Sequence, residues 1–95
     1  MKVIDQKPLK STTHVQGLLI KLENGQHYAL TLYQPPRSSW RMRAVEATRT
    51  GRTSETVIFD KRVSPKPPVE QGIDMLMYYI ANPTDHPIDP LVNPS

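Results

Sequence analysis

The chain is 95 residues long, with no cysteine, ten prolines, one tryptophan and a net charge of +3. A chain of this size fits a single domain that buries about 60–65% of its unfolded surface, and without cysteine it has neither disulfides nor thiolate metal ligands. Its longest apolar run, residues 75–81, is seven residues, against the ~20 that a membrane-spanning helix needs, and the opening MKVIDQKPLK carries no apolar signal core, so the expectation is a soluble cytoplasmic protein without a membrane partner.

Taken in order, Met1 to Gln6 reads as a short edge strand, with Val3 and Ile4 as its strand formers and Lys7-Pro8 as its end. From Thr13 to Gln34 the alternation is stronger: Leu18, Ile20 and Leu22 share one parity, and so do Tyr28, Leu30 and Leu32 after the turn. A two-residue Asn24-Gly25 turn would pair Leu22 with His27 and throw the two apolar sets onto opposite faces. A three-residue loop, Glu23-Asn24-Gly25, brings Ile20 opposite Tyr28 and Leu18 opposite Leu30, and puts Gly25 at the left-handed position. Pro35-Pro36 then separates this hairpin from the next, since neither residue has a backbone N–H for a ladder.

Ser39 to Val63 reads as a second hairpin with one apolar and one arginine-rich face. Trp40, Met42 and Ala44 alternate with Arg41 and Arg43, and Val57 and Phe59 alternate with Ile58 and Asp60. Closing Thr48 against Thr53 around Arg49-Thr50-Gly51-Arg52 places Met42 opposite Phe59 and Ala44 opposite Val57. The other face then carries Arg41, Arg43, Arg49, Arg52 and Arg62, with Asp60 roughly across from Arg41.

Ser64 to Pro68 is a second proline separator, after which Val69, Ile73, Leu76 and Ile80 recur on one helical stripe that ends at Asn82-Pro83. At ~100° per residue Met75 and Tyr78 point largely away from that stripe. Residues 82–95, with four prolines and few apolar side chains, read as an extended tail beside a sheet-plus-helix domain of residues 1–81. The expected fold is α+β: a four-stranded antiparallel sheet from two β-hairpins, with the N-terminus as a candidate fifth strand and one C-terminal helix packed on one face. A small β-barrel plugged by the helix is the alternative.

Residues 37–66 hold eight of the twelve Lys and Arg against three carboxylates, whereas residues 67–95 hold four carboxylates and no Lys or Arg. Guanidinium groups crowded on one sheet face repel one another unless solvent or an anion relieves them, and arginine takes phosphate or carboxylate through two parallel hydrogen bonds. The leading expectation is therefore a non-enzymatic binding protein whose Arg41, Arg43, Arg49, Arg52 and Arg62 hold nucleic acid by its phosphates without base specificity, or else an acidic protein surface. The alternative is an assembly, accessory or inhibitory factor that docks on a protein through Met75 and Tyr78 on the helix and Ile88, Leu91 and Val92 in the tail. A homo-oligomer is compatible with either.

No catalytic set, metal site or cofactor motif is expected. His14, His27 and His86 lack metal-ligand spacing, the four glycines make no phosphate loop, and Asp85-His86 sits in a proline-rich tail without the rigid support that nucleophilic catalysis needs. Trp40, the one tryptophan, is assigned to the core side of its strand, with a stacking platform as the other reading.

Overall fold

The structure, a computed structural model, describes residues 2–90. Five strands form one antiparallel sheet in simple meander order: β1 (Val3–Thr12), β2 (Val15–Leu22), β3 (His27–Tyr33), β4 (Arg41–Ala47) and β5 (Thr53–Arg62). One helix, α1 (Gln71–Ala81), lies across β3, β4 and β5. The sheet is open, with β1 and β5 as its edges, so the plugged-barrel alternative is replaced by a sheet with a helix on one face. The N-terminal strand is real and runs past Pro8, where the sequence reading ended it. An edge strand has a row of N–H groups with no ladder partner, and a proline in that row removes nothing.

The first hairpin has the expected register, with Ile20 opposite Tyr28 and Leu18 opposite Leu30. Its loop closes through Leu22 N–H to Gln26 O at 2.9 Å and Gly25 N–H to Leu22 O at 2.9 Å, with Gly25 at φ +89°. The second hairpin departs from expectation. Thr48 N–H donates to Arg52 O at 2.9 Å and Gly51 N–H to Thr48 O at 2.9 Å, so Arg49-Thr50-Gly51 is again a three-residue loop, with Gly51 at φ +89°.

That closure pairs Ala47 with Thr53 and, continued regularly, would turn Phe59 away from Met42 and Ala44. Irregularities in β5 repair it: the pairing moves to Val45–Val57 and then to Ala44–Phe59. Such β-bulges insert residues without a partner and change which face the following side chains take. Phe59 thus faces Ala44 rather than Met42, and Lys61 stands opposite Met42.

The core lies between the sheet and α1. Ile20, Leu22, Leu30, Leu32, Met42, Ala44 and Phe59 are fully buried, and Leu76 and Val69 meet them from the helix side. Gly72 explains the close approach: a β-carbon there would lie 2.8 Å from Met42 Sδ and 3.3 Å from Leu30 Cδ1. At the helix end, Asn82 N–H and Nδ2 both donate to Tyr78 O at 2.9 Å, which satisfies a carbonyl that a helix C-terminus leaves open.

The opposite face has a small core of its own, in which Leu19, Ala29 and Val45 are buried. Leu9 closes over Gly17, where a β-carbon would stand 3.0 Å from Leu9 Cβ, and Leu9 Cδ2 lies 3.5 Å from the β-carbon position of Gly51. The edge strand therefore curls across this outer face towards the β4–β5 loop. The other edge is covered by the chain end: Asp60 N–H donates to Pro87 O and Asp89 N–H to Asp60 O, each at 2.8 Å, with Ile88 bridged in parallel to Asp60.

Candidate anion-binding site

Arg41 shares the outer face with Tyr33 on β3 and Asp60 and Arg62 on β5. It is 2% exposed. Its Nε donates to Asp60 Oδ1 at 2.9 Å and its Nη2 to Asp60 O at 3.3 Å and to Asp89 O, while Tyr33 OH donates to Asp60 Oδ2 at 2.8 Å. Burial opposes the guanidinium charge, but the hydrogen bond and charge of Asp60 outweigh it and hold Arg41 above its ordinary value. Burial, followed by the bond to Asp60, pushes the Tyr33 phenol up. Arg41 is accordingly withdrawn from the expected basic face: it is buried, and its Nε and Nη2 donors are spent inside the molecule.

A second ion pair fastens the chain end, with Lys61 Nζ 2.9 Å from Asp89 Oδ1 and Arg62 N–H 2.9 Å from Asp89 Oδ2. The hydrogen bond from Lys61, aided by the Arg62 amide, lowers the Asp89 carboxyl, and the same bond raises Lys61.

The remaining four arginines are exposed, and none pairs with a carboxylate among the described residues. They do not form one cluster. Arg49 and Arg52 sit at the β4–β5 loop, and Arg62 is at the far end of the ten-residue β5, roughly 30 Å away at ~3.3 Å per residue, with Arg43 between them.

Arg62 belongs instead to a groove of about 1050 Å³ at the other end of the sheet. A meander brings the β1–β2 turn, the β3–β4 loop and the exit from β5 to the same end, and these supply His14, Arg37, Trp40 and Lys66. Lys66 Nζ lies 4.7 Å from the centre of the Trp40 ring, which is half-buried and packs in part on the core. Arg37 occupies the third position of a turn closed by Ser38 N–H to Pro35 O at 3.2 Å, at φ +58°, a place that normally takes glycine. Among the described residues no carboxylate lines this groove. In the sequence the two proline stretches read as separators; the missed signal is that Arg37 follows one, Lys66 lies within the other, and the meander sets the two side by side.

The expected protein-docking residues are placed unevenly. Met75 is half-buried against the core, whereas Tyr78 is 48% exposed with its hydroxyl donating to Asp85, and Ile88 is 55% exposed. Tyr79 stacks on Phe59 with ring centres 5.2 Å apart. Leu91 and Val92 lie outside the described residues. Among the described residues no cluster of three acidic or histidine side chains could hold a metal, and no helix is long and apolar enough to cross a membrane. Comparison with known protein families, curated proteins and solved structures finds no match to this chain.

Proposed function

We propose that the protein is a non-enzymatic binding module that holds nucleic acid by its phosphates, using Arg43, Arg49, Arg52 and Arg62. The observation that supports this reading is the division among the hairpin arginines: the one that is buried has its own carboxylate, and the four that are exposed have none among the described residues. Solvated cations without partners are what phosphate contacts draw on, and such contacts position a polymer without reading its bases. Titration of an oligonucleotide at several salt concentrations tests it. With ~3–4 phosphates contacted, log affinity falls against log salt with a slope of about −2 to −4, and Arg49→Gln with Arg52→Gln flattens the slope by about one to two. No binding at low ionic strength removes the reading.

Docking on a protein through the helix and tail is the second reading. Two of the three exposed large apolar side chains among the described residues, Tyr78 and Ile88, lie there. Recovery of a single protein partner from the native host after nuclease treatment would favour it over the first.

A further inference from the structure

We infer that the groove between the β3–β4 loop and the exit of β5 takes an unpaired nucleotide, its base stacked on Trp40 and its flanking phosphates on Arg37, Arg62 and Lys66. The inference rests on the nucleic-acid reading above and narrows it to single strands. The volume, about 1050 Å³, lies just above the usual ~300–1,000 Å³ of ligand sites. Among the described residues the lining offers both parts of a nucleotide-binding surface: the cations Arg37, Arg62 and Lys66 with His14 beside them, no carboxylate, and one large aromatic ring.

The ammonium of Lys66 over Trp40 shows that the ring has a face that a cation can reach. Lys66 is itself exposed, so a base can take its place on the ring and leave the ammonium free for the adjoining phosphate. Arg37 is held in a left-handed conformation that a side chain disfavours, and it is one of the residues that line the groove. Paired bases bury their faces in the duplex stack, whereas unpaired bases present a π-face to an aromatic side chain whatever their sequence. A recessed Trp40 therefore selects unpaired bases over duplex, and an acidic peptide would satisfy the cations but bring no ring to displace Lys66.

Trp40 is the only tryptophan, so its fluorescence reports on the groove directly in the unmodified protein. The probes are an oligothymidylate of about ten nucleotides, within the ordinary site size of a small single-strand binder, a duplex of matched length, and polyglutamate as a charge control. The expected result is quenching by the oligothymidylate that the duplex and polyglutamate do not produce. Trp40→Leu should weaken single-strand binding about tenfold to a hundredfold, and Trp40→Phe far less. Because Trp40 also packs on the core, Lys66→Gln and Arg37→Gly serve as variants that leave the ring in place, and each should weaken single-strand binding with a smaller salt slope. Single-strand binding without quenching, or equal quenching by polyglutamate or duplex, overturns the groove assignment while leaving the hairpin arginines as the phosphate site. Failure of both oligonucleotides to bind at low ionic strength overturns the two together.

Discussion

Arg41 and Asp60 meet diagonally across β4 and β5, Nε to Oδ1 at 2.9 Å, although Arg43 is the residue directly opposite Asp60. The diagonal wins because Arg41 lies between Tyr33, which holds the other carboxylate oxygen, and the backbone of Asp89, which takes a further guanidinium donor. Breaking a buried pair from one side leaves a charge without compensation, at about 3–5 kcal/mol in full burial. The Asp60 side chain keeps 17% exposure, so Arg41→Met should cost somewhat less than a fully buried pair, roughly 2–3 kcal/mol. Arg43→Met, an exposed change, should stay within about 0.5 kcal/mol. Urea denaturation of both variants decides: equal losses would mean that the Arg41 network contributes nothing beyond a surface pair.

Removing residues 84–95 takes away the Pro87 acceptor of Asp60 N–H, the Asp89 N–H on Asp60 O, the Asp89 carbonyl on Arg41 and the Asp89 carboxylate on Lys61. With net hydrogen-bond contributions of about 0.5–1.5 kcal/mol each, losing these four should cost about 2–6 kcal/mol and lower the melting temperature by about 10 °C or more. Tail residues 87–89 are joined to the β5 edge and leave Arg43 exposed, so anion affinity should change little. An unchanged melting temperature would show that the tail is not held to β5 in solution.

The Asp89 carboxyl lies below its ordinary value of 3.8 when folded, through the hydrogen bond from Lys61 and then the Arg62 amide. The unfolded chain therefore binds a proton there more readily than the folded one. The stabilisation is complete above the unfolded value and is lost as pH falls through the lower folded value. Lys61 is raised, so its share is complete below 10.5 and is lost as pH climbs through the higher folded value. Asp89→Asn should flatten the acid limb of stability against pH and leave the alkaline limb shallower, since Lys61 has then lost its carboxylate. An acid limb identical to that of the parent would show that Asp89 is not its source.

Much of the sheet was legible because alternation is a strong signal where one face is buried: Leu18, Ile20 and Leu22 against Tyr28, Leu30 and Leu32 admit one loop length at Asn24-Gly25, and the structure has it. The second hairpin was not legible to the same degree. Parity counting assumes an unbroken ladder, and irregularities near Val45, Val57 and Ile58 shift the pairing by residues that no pattern marks. The arginine face failed at Arg41 for a related reason: alternation says which face a side chain takes, not whether Tyr33 and the chain end bury it there. The groove was missed because its members come from three connections, which sequence patterns treat as gaps between elements.

The close approach of α1 to the sheet yields a test of packing against propensity. Alanine favours a helix over glycine by about 1 kcal/mol, yet a β-carbon on Gly72 would press on Met42 Sδ, Met42 Cγ and Leu30 Cδ1, at 2.8, 3.2 and 3.3 Å. Both neighbours are fully buried, so either one can yield only by disturbing its own packing. Overpacking of this kind costs about 1–3 kcal/mol, so Gly72→Ala should destabilise despite the gain in propensity. A more stable variant in urea denaturation would mean that Met42 swings aside freely.

Gly25 and Arg37 pose the opposite problem at two turns, because both have positive φ, +89° and +58°, and only one of them is glycine. Nothing lies within 4 Å of a β-carbon on Gly25, so a substitution there meets backbone strain alone. Gly25→Ala should cost roughly 1 kcal/mol, and the β-branched Gly25→Val more than 1 kcal/mol. At Arg37 the same strain, about 1–2 kcal/mol, is already present, while glycine would add about 0.5–1 kcal/mol of chain entropy lost on folding. Arg37→Gly should therefore leave stability unchanged or raise it by up to about 1 kcal/mol. The same variant removes a cation from the Trp40 groove and should weaken oligonucleotide binding, so stability and affinity move apart. Thermal melts and binding titrations on one preparation test both halves: an Arg37→Gly protein that is less stable would show that the side chain holds the turn, and the strain would then be no sign of a binding role.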